Sequence, residues 1–243
     1  MLNKKSEKNL VDDMNYNSYH SHADIWKIIT SERFDTWFLE LSDNEKAAIL
    51  GKIYLLEEYG PNLSRPYADT IKGSKLANLK ELRIKTGTHI FRVTYIFDPE
   101  QNGLLLIGGD KKGKNQKKFY KDLIKESEQI YAFYLEKNKR RSKMKFKPLS
   151  DLEKKLDPEI RANARKIYEQ ESLNIKLRAL RTKYGVKQGD LSQFTQTAVS
   201  KLENRKDIKI STLIDYLESL GMGLEITALT KGKKTKREVL LKL

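Results

Sequence analysis

The chain has no cysteine. That excludes disulfides and thiolate metal sites, and a reducing cytosol is the simplest compartment. Histidine is scarce, three residues in 243, and no cluster of histidine, cysteine and carboxylate with ligand spacing stands out, so no metal or other cofactor is expected. No apolar run approaches the roughly 20 residues that a membrane helix needs, so no membrane partner is expected. The first 23 residues are polar and lack the apolar core of a signal peptide. They read as a disordered lead-in, and the location expected is cytoplasmic.

What is abundant is positive charge, a net of +15. It is unevenly spread. Residues 1–137 carry 22 Lys/Arg against 20 Asp/Glu, residues 138–150 carry six basic residues and no acid, and residues 151–243 carry 20 against 13. The excess therefore sits in a connector and in the C-terminal half. A basic surface favours a polyanion, because neutralising phosphates releases counterions. Aromatic residues are plentiful (12 Tyr, 8 Phe, 2 Trp), so folded domains are expected rather than wholesale disorder. The length suits two of them.

Periodicity divides the chain. Residues 24–29 read as a short strand. Phe34, Trp37, Phe38 and Leu41 recur at helical spacing, and Ala48, Ile49, Ile53 and Leu56 repeat the pattern in a second helix. Ser42-x-x-Glu45 has the form of a capping box, and Gly60-Pro61 ends that helix. Residues 79–86 and 90–98 alternate around Thr86-Gly87-Thr88 as a hairpin. Residues 104–108 are a continuous apolar run, typical of a central strand, and the pattern stops at Gly108-Gly109-Asp110. A helix over 116–135 shows Phe119, Leu123, Ile130 and Phe133 on one face. Residues 138–150 lose periodicity and read as a basic linker. Beyond it come helices at 151–170, 172–184 and 209–220, a bihelical motif at 187–204, a strand at 223–229 and a loose basic tail. The fold class expected is α+β: a small antiparallel sheet with helices over 24–137, then an all-α helix-turn-helix domain over 151–243.

Two constellations carry chemistry. In the first, Arg83 and Lys85 share one face of a strand and Arg92 lies on the next. Lys111, Lys112 and Lys114 follow the third strand, and Tyr120 opens the helix. Such a face is costly unless an anion occupies it. Arginine suits bidentate phosphate contact. Lysine or tyrosine in a cationic cluster can shift towards proton transfer. The competing reading is an exposed sheet on which Arg83 and Arg92 pair with Glu81 or Asp98. His89 reads as an exposed loop residue at the hairpin.

The segments RPYADTIKG, NLKELRIKTGTHIFRVTYIFD and LLLIGGDKKGKNQKKFY resemble the phage-derived branch of the RelE/HigB toxin superfamily, over roughly 24–136. The resemblance implies a ribosome-dependent mRNA endonuclease that cuts mRNA on the ribosome. Arg83 and Arg92 would stabilise the scissile phosphate. Lys85 and Lys114 would bind phosphate or transfer a proton, and Tyr120 would stack on a base or assist the acid step. Lys111, Lys112 and Lys117 would bind RNA. Members of the ParE type target gyrase instead, which is a competing activity.

The second constellation is Gln188, Leu191, Ala198, Val199, Leu202 and Ser211-Thr212-Leu213. With TAVSKLENR and ISTLIDYLESLG it resembles the Cro- and HigA-type helix-turn-helix repressors, over about 165–229. Gln188, Gln196, Thr197, Ser200 and Lys201 would then serve DNA binding, most of them reading bases from the second helix, with Arg205 and Lys206 on phosphates. Leu191 and Val199 are only eight residues apart, closer than the family's usual spacing, so the turn is tightened. Together the two likenesses imply a fused toxin and antitoxin whose halves bind each other, with operator DNA as a further partner and a homodimer as the assembly. The alternative is a repressor whose toxin-like half is an inactive co-repressor.

Overall fold

The computed structural model describes residues 26–137, 145–205, 207–230 and 236–243. The expected lead-in and most of the expected linker lie outside them. The chain divides into two compact units, one ending at Arg165 and one beginning at Lys166.

The first unit is a six-stranded sheet ordered β2-β3-β4-β5-β1-β6. β1 is Ile28–Ser31, shifted towards the C-terminus of the expected strand. The shift has a local cause: Ser31 ends the strand and starts the helix. Its hydroxyl accepts from the Phe34 N–H at 3.0 Å and donates to the Leu106 carbonyl at 2.5 Å. α1 (Glu32–Leu39) and α2 (Asp43–Tyr59) follow. The Glu45 carboxylate accepts from the Ser42 N–H at 2.9 Å and from its hydroxyl at 2.6 Å, as the capping pattern predicts. Gly60 ends α2 with φ +52°, and a side chain there would run into the Trp26 indole.

β2 (Ala68–Thr70) pairs with β3 (Lys80–Thr86), and β3 pairs with β4 (His89–Phe97) across the tight Gly87-Thr88 turn. β5 is Gly103–Asp110, antiparallel to β4 and parallel to β1. The two glycines do not stop it. Gly108 must lack a side chain because the Trp37 ring occupies that space. α3 (Gln116–Lys137) lies on the face carrying Ile96, Leu104 and Leu106, burying Phe119, Leu123 and Ile130. Tyr134 is buried there rather than Phe133, which is exposed.

Residues read as linker and as second domain complete this sheet. β6 (Phe146–Pro148) pairs antiparallel with β1. α4 (Leu149–Glu153) and the first turns of α5 (Pro158–Lys183) then bury Leu149, Leu152, Leu156, Ile160 and Ala164.

The second unit departs from the expected all-α fold. α5 is one unbroken helix across the expected break at 170–172. Residues 187–195 form turns, so the bihelical motif keeps only its second helix, α6 (Gln196–Leu202). The seven residues between Leu191 and Val199 are too few for a helix, a turn and a second helix start. Leu191, Val199 and Leu202 nonetheless share a core with Leu177, Tyr216 and Leu217. α7 is Ile210–Glu218, and the tail forms a hairpin of β7 (Glu225–Leu229) with β8 (Arg237–Lys242). Glu203 is fully buried. Arg181 forks onto it at 2.6 and 3.3 Å, the Tyr216 hydroxyl donates to it at 3.0 Å and the Gln188 amide at 2.9 Å.

Candidate functional site

Strand alternation puts Glu81, Arg83, Arg92 and Thr94 on the sheet face that α3 covers. Thr94 meets Ser127 of α3 at 2.8 Å, fixing the middle of the helix over the sheet. Near its first turns the helix leaves a groove of about 490 Å³ between β2, β3, β4 and α3. Six cationic side chains (Arg65, Lys72, Arg83, Arg92, Lys111 and Lys117) and two acidic ones (Asp69 and Glu81) line it.

Arg83 and Arg92 stand directly opposite each other on β3 and β4. Two cations so placed repel, and buried Glu81 holds them together. Its carboxylate lies 3.2 Å from Arg92 Nε and 3.5 Å from Arg83 Nη1, and it accepts from the Tyr120 hydroxyl at 2.9 Å. Asp69 takes Arg83 at 3.1 Å and Arg65 at 2.5 Å. The Arg65 hydrogen bond draws the Asp69 carboxyl below its usual range despite partial burial.

The arginines are not equivalent. The Arg92 side chain is 7% exposed and spends Nη1 on the Phe91 carbonyl at 2.8 Å, whereas Arg83 is 31% exposed. Arg83 is therefore the more accessible donor, and Arg92 supports Tyr120, whose hydroxyl lies 3.4 Å from its Nε. Burial, with Glu81 nearby and Arg92 opposing, raises the Tyr120 phenol above its ordinary value, so it stays protonated and able to donate. Lys111 Nζ sits 5.2 Å from the centre of the Tyr120 ring.

The expected set is thus partly assembled. Arg83, Arg92, Lys111, Lys117 and Tyr120 share the groove. Lys85 is exposed beyond it. Lys112 donates to the Thr88 hydroxyl at 2.7 Å. Lys114 lines a separate hollow of about 410 Å³ with Asn115, Lys118, Phe119 and Asp122. Asp98 has no part in the arginine cluster; it accepts from Tyr134 at 2.5 Å and Asn102 at 2.9 Å. Arg65 and Asp69 were not expected, since only the β2–β3 register brings them in. His89 begins β4 instead of lying in a loop. Its Nδ1 is 2.6 Å from Asp110, its Nε2 is 3.7 Å from Glu45, and its ring stacks on Phe91. Among the described residues, no group of three or more His, Cys, Asp or Glu could hold a metal ion. No helix among them is long and apolar enough to cross a membrane.

In the second unit, Gln196, Thr197, Lys201 and Arg205 are exposed and Ser200 is half-buried. Thr195 caps α6 by accepting from the Ala198 N–H at 3.2 Å. Gln188 is committed to Glu203 and does not extend the exposed row. Lys206 lies outside the described residues.

Fold and groove together define a small α+β unit with an arginine-lined groove on its sheet face. A family profile for phage-derived Gp49-like proteins matches residues 36–132. The inferred toxin HigB3 of Mycobacterium tuberculosis is 41% identical over 97 residues, 40% of this chain and 82% of that protein. The inferred toxin HigB2 of the same organism is 33% identical over 105 residues, 43% of this chain, which spans about half that relative's length (52%). Through this segment the chain belongs to the Gp49-like family of HigB-type toxins. No solved structure matches it.

Proposed function

We propose that the first unit is an mRNA endonuclease acting on ribosome-bound message, and that the C-terminal half neutralises it and represses transcription at operator DNA. The observation that carries the first part is the groove. Arg83 is exposed enough to clamp a phosphate, and Arg92, fixed by Glu81, holds a protonated Tyr120 beside it. RNA cleavage requires the 2′-hydroxyl to lose its proton, to solvent or a base, as its oxygen attacks phosphorus, the bond to the 5′-oxygen to break and that oxygen to gain a proton. Arg83 would stabilise the crowded phosphate. Tyr120 would give the proton or stack on the adjoining base. Lys111 and Lys117 would hold the flanking phosphates.

The second part rests on α6, whose exposed Gln196, Thr197 and Lys201 suit base edges, with Arg205 on phosphate. Fusion makes neutralisation intramolecular.

The test compares expression of residues 1–165 with the whole chain, following growth and primer extension on cellular mRNA. Residues 1–165 are used because β6 completes the sheet and α4 and the start of α5 belong to the same compact unit. Growth arrest with ribosome-dependent cuts from 1–165, abolished by Arg83→Ala and absent from the whole chain, is the result expected. Arrest without cuts would indicate the gyrase-directed activity. No arrest from soluble 1–165 would leave a repressor with an inactive toxin fold.

A further inference from the structure

We propose that the hollow on the other flank of α3 is a base-binding subsite, taking the nucleotide that neighbours the one in the arginine groove; it rests on the RNA reading above. The first turn of α3 is a ridge between two depressions. Gln116, Lys117 and Tyr120 line the groove, while Asn115, Lys118 and Phe119 line the hollow. The two are separated by one helix, roughly 10 Å across, and lysines of both flanks crown the ridge. A strand whose phosphate sits on Arg83 meets this ridge next.

The hollow differs from the groove in chemistry. Its floor is apolar and main-chain: Ile107, Gly108, Gly109, Phe119 and Leu123. A side chain at Gly109 would press on the Phe119 ring and fill it. Its rim carries Lys114 and Lys118, whose ammonium groups form no ion pair with any described residue, and Lys114 Nζ lies 5.7 Å from the centre of the Phe119 ring. Asp122, one turn of α3 beyond Lys118, has no hydrogen bond or ion pair to any described residue, whereas Glu126, a further turn on, is held by Arg33. A bare phosphate would be repelled by Asp122. A nucleotide satisfies every wall: its flat face lies on the apolar floor, its phosphate meets the lysines and an exocyclic amino group donates to Asp122. Asn115 spends its oxygen on the Lys118 N–H at 3.1 Å, leaving its amide protons for a base carbonyl. The pairing favours guanine or cytosine, which offer an amino donor and a carbonyl acceptor together, over uracil.

The test uses the intact chain and fluorescein-labelled RNA tetranucleotides, 2′-fluoro at each position to prevent cleavage, read by fluorescence anisotropy at fixed salt. One set carries guanine at successive positions in a uridine background. The expected result is a preference of roughly tenfold for guanine at one position. Asp122→Asn should remove that preference, and Lys118→Ala should weaken all the tetranucleotides several-fold. Both residues are exposed, so the fold should persist, and circular dichroism checks this. Binding lost on Lys117→Ala but unaltered by Asp122→Asn and Lys118→Ala would overturn the hollow alone. No binding by the wild-type chain and none by residues 1–165 would overturn the groove reading and the hollow with it.

Discussion

Replacing Glu57 by glutamine should stabilise the first unit, and only on the alkaline side. Glu57 lies near the end of α2, where burial pushes its carboxyl up to about 7, helped by repulsion from Glu153 of α4 and partly opposed by Arg165 of α5. The ordinary value is about 4.3 in an unfolded chain. An acid raised in this way binds its proton more tightly folded than unfolded. The fold therefore carries no penalty below about pH 4.3, loses stability as pH rises towards 7, and carries the full penalty above 7. The rise from the ordinary value to about 7 corresponds to roughly 3–4 kcal/mol. Glu57→Gln abolishes the ionisation and should gain most of that at pH 8, with little gain at pH 5. Both tryptophans, Trp26 and Trp37, lie in the first unit, so urea unfolding followed by tryptophan fluorescence reports on it without separating the units. Linear extrapolation at steps from pH 5 to 8.5 gives the two curves. The difference between variant and wild type should grow by at least 1 kcal/mol across that range. Parallel curves would refute the reasoning. The charge also has a cheaper escape than global unfolding. Tyr54 donates to Glu153 at 2.5 Å, and Arg165 lies 4.8 Å from the Tyr54 ring centre. Release of residues 145–165 would relieve Glu57, so proteolysis there should quicken with pH in the wild type and not in the variant.

Three further outcomes follow from the same contacts. Glu203→Ala leaves Arg181 buried without its partner and should cost the second unit about 3–5 kcal/mol, seen as early loss of helical signal on heating. The hydrogen bonds of Arg181, Gln188 and Tyr216 outweigh burial and hold Glu203 below its ordinary range, so its contribution is present above about pH 4.3 and lost on acidification through its lowered value. A loss under 1 kcal/mol would mean that the cluster is less coupled than its geometry indicates. Glu81→Gln should strengthen binding of a non-cleavable RNA tetranucleotide, because Arg83 is freed from a competing carboxylate. It should also cost about 2 kcal/mol of stability, through weakened charged hydrogen bonds to Arg92 and Tyr120; unchanged affinity would show that Arg83 does not meet the phosphate. Lys111→Ala with Lys117→Ala should flatten the slope of log K against log salt for single-stranded RNA by about 1.4, and an unchanged slope would take both lysines off the phosphate path.

Local features were legible in the sequence and non-local ones were not. The Ser42–Glu45 cap, the hairpin at Gly87 and the helix over α3 are each specified within a few residues, and the pattern located them. β1 is different, because its register is set by parallel pairing with β5 some 75 residues away. β6 sits in a lysine-rich stretch without alternation, and only the open edge of β1 makes it a strand. At the site, Arg83 and Arg92 followed from alternation, and Glu81 was visible two residues before Arg83. Asp69 and Arg65 entered through β2, too short at three residues to carry a period. In the sequence Lys114 reads as catalytic and Lys111 as RNA-binding, yet it is Lys111 that lines the arginine groove, because the loop turns through Gly113, at φ +68°, between them.

The order of strands constrains how any neutralisation could work. The groove belongs to the β2-β3-β4 end of the sheet, and residues 146–148 add at the other edge, beyond β1. None of residues 145–165 lines the groove. Their attachment to the first unit is nonetheless extensive: a strand ladder, five buried apolar side chains, and lysines 145, 147 and 155 around Glu32 and Asp35. An attachment of that kind holds a partner without touching the chemistry. Inhibition by the residues that this segment carries beyond Arg165 would therefore act through bulk, keeping the unit from reaching message on the ribosome, and leave the arginine groove able to bind a short oligonucleotide. That difference is measurable: the intact chain should still bind a tetranucleotide under conditions in which it does not cut ribosome-bound mRNA. Loss of tetranucleotide binding in the intact chain, with binding retained by residues 1–165, would instead place the inhibitory contact in the groove and assign it to residues beyond Arg165.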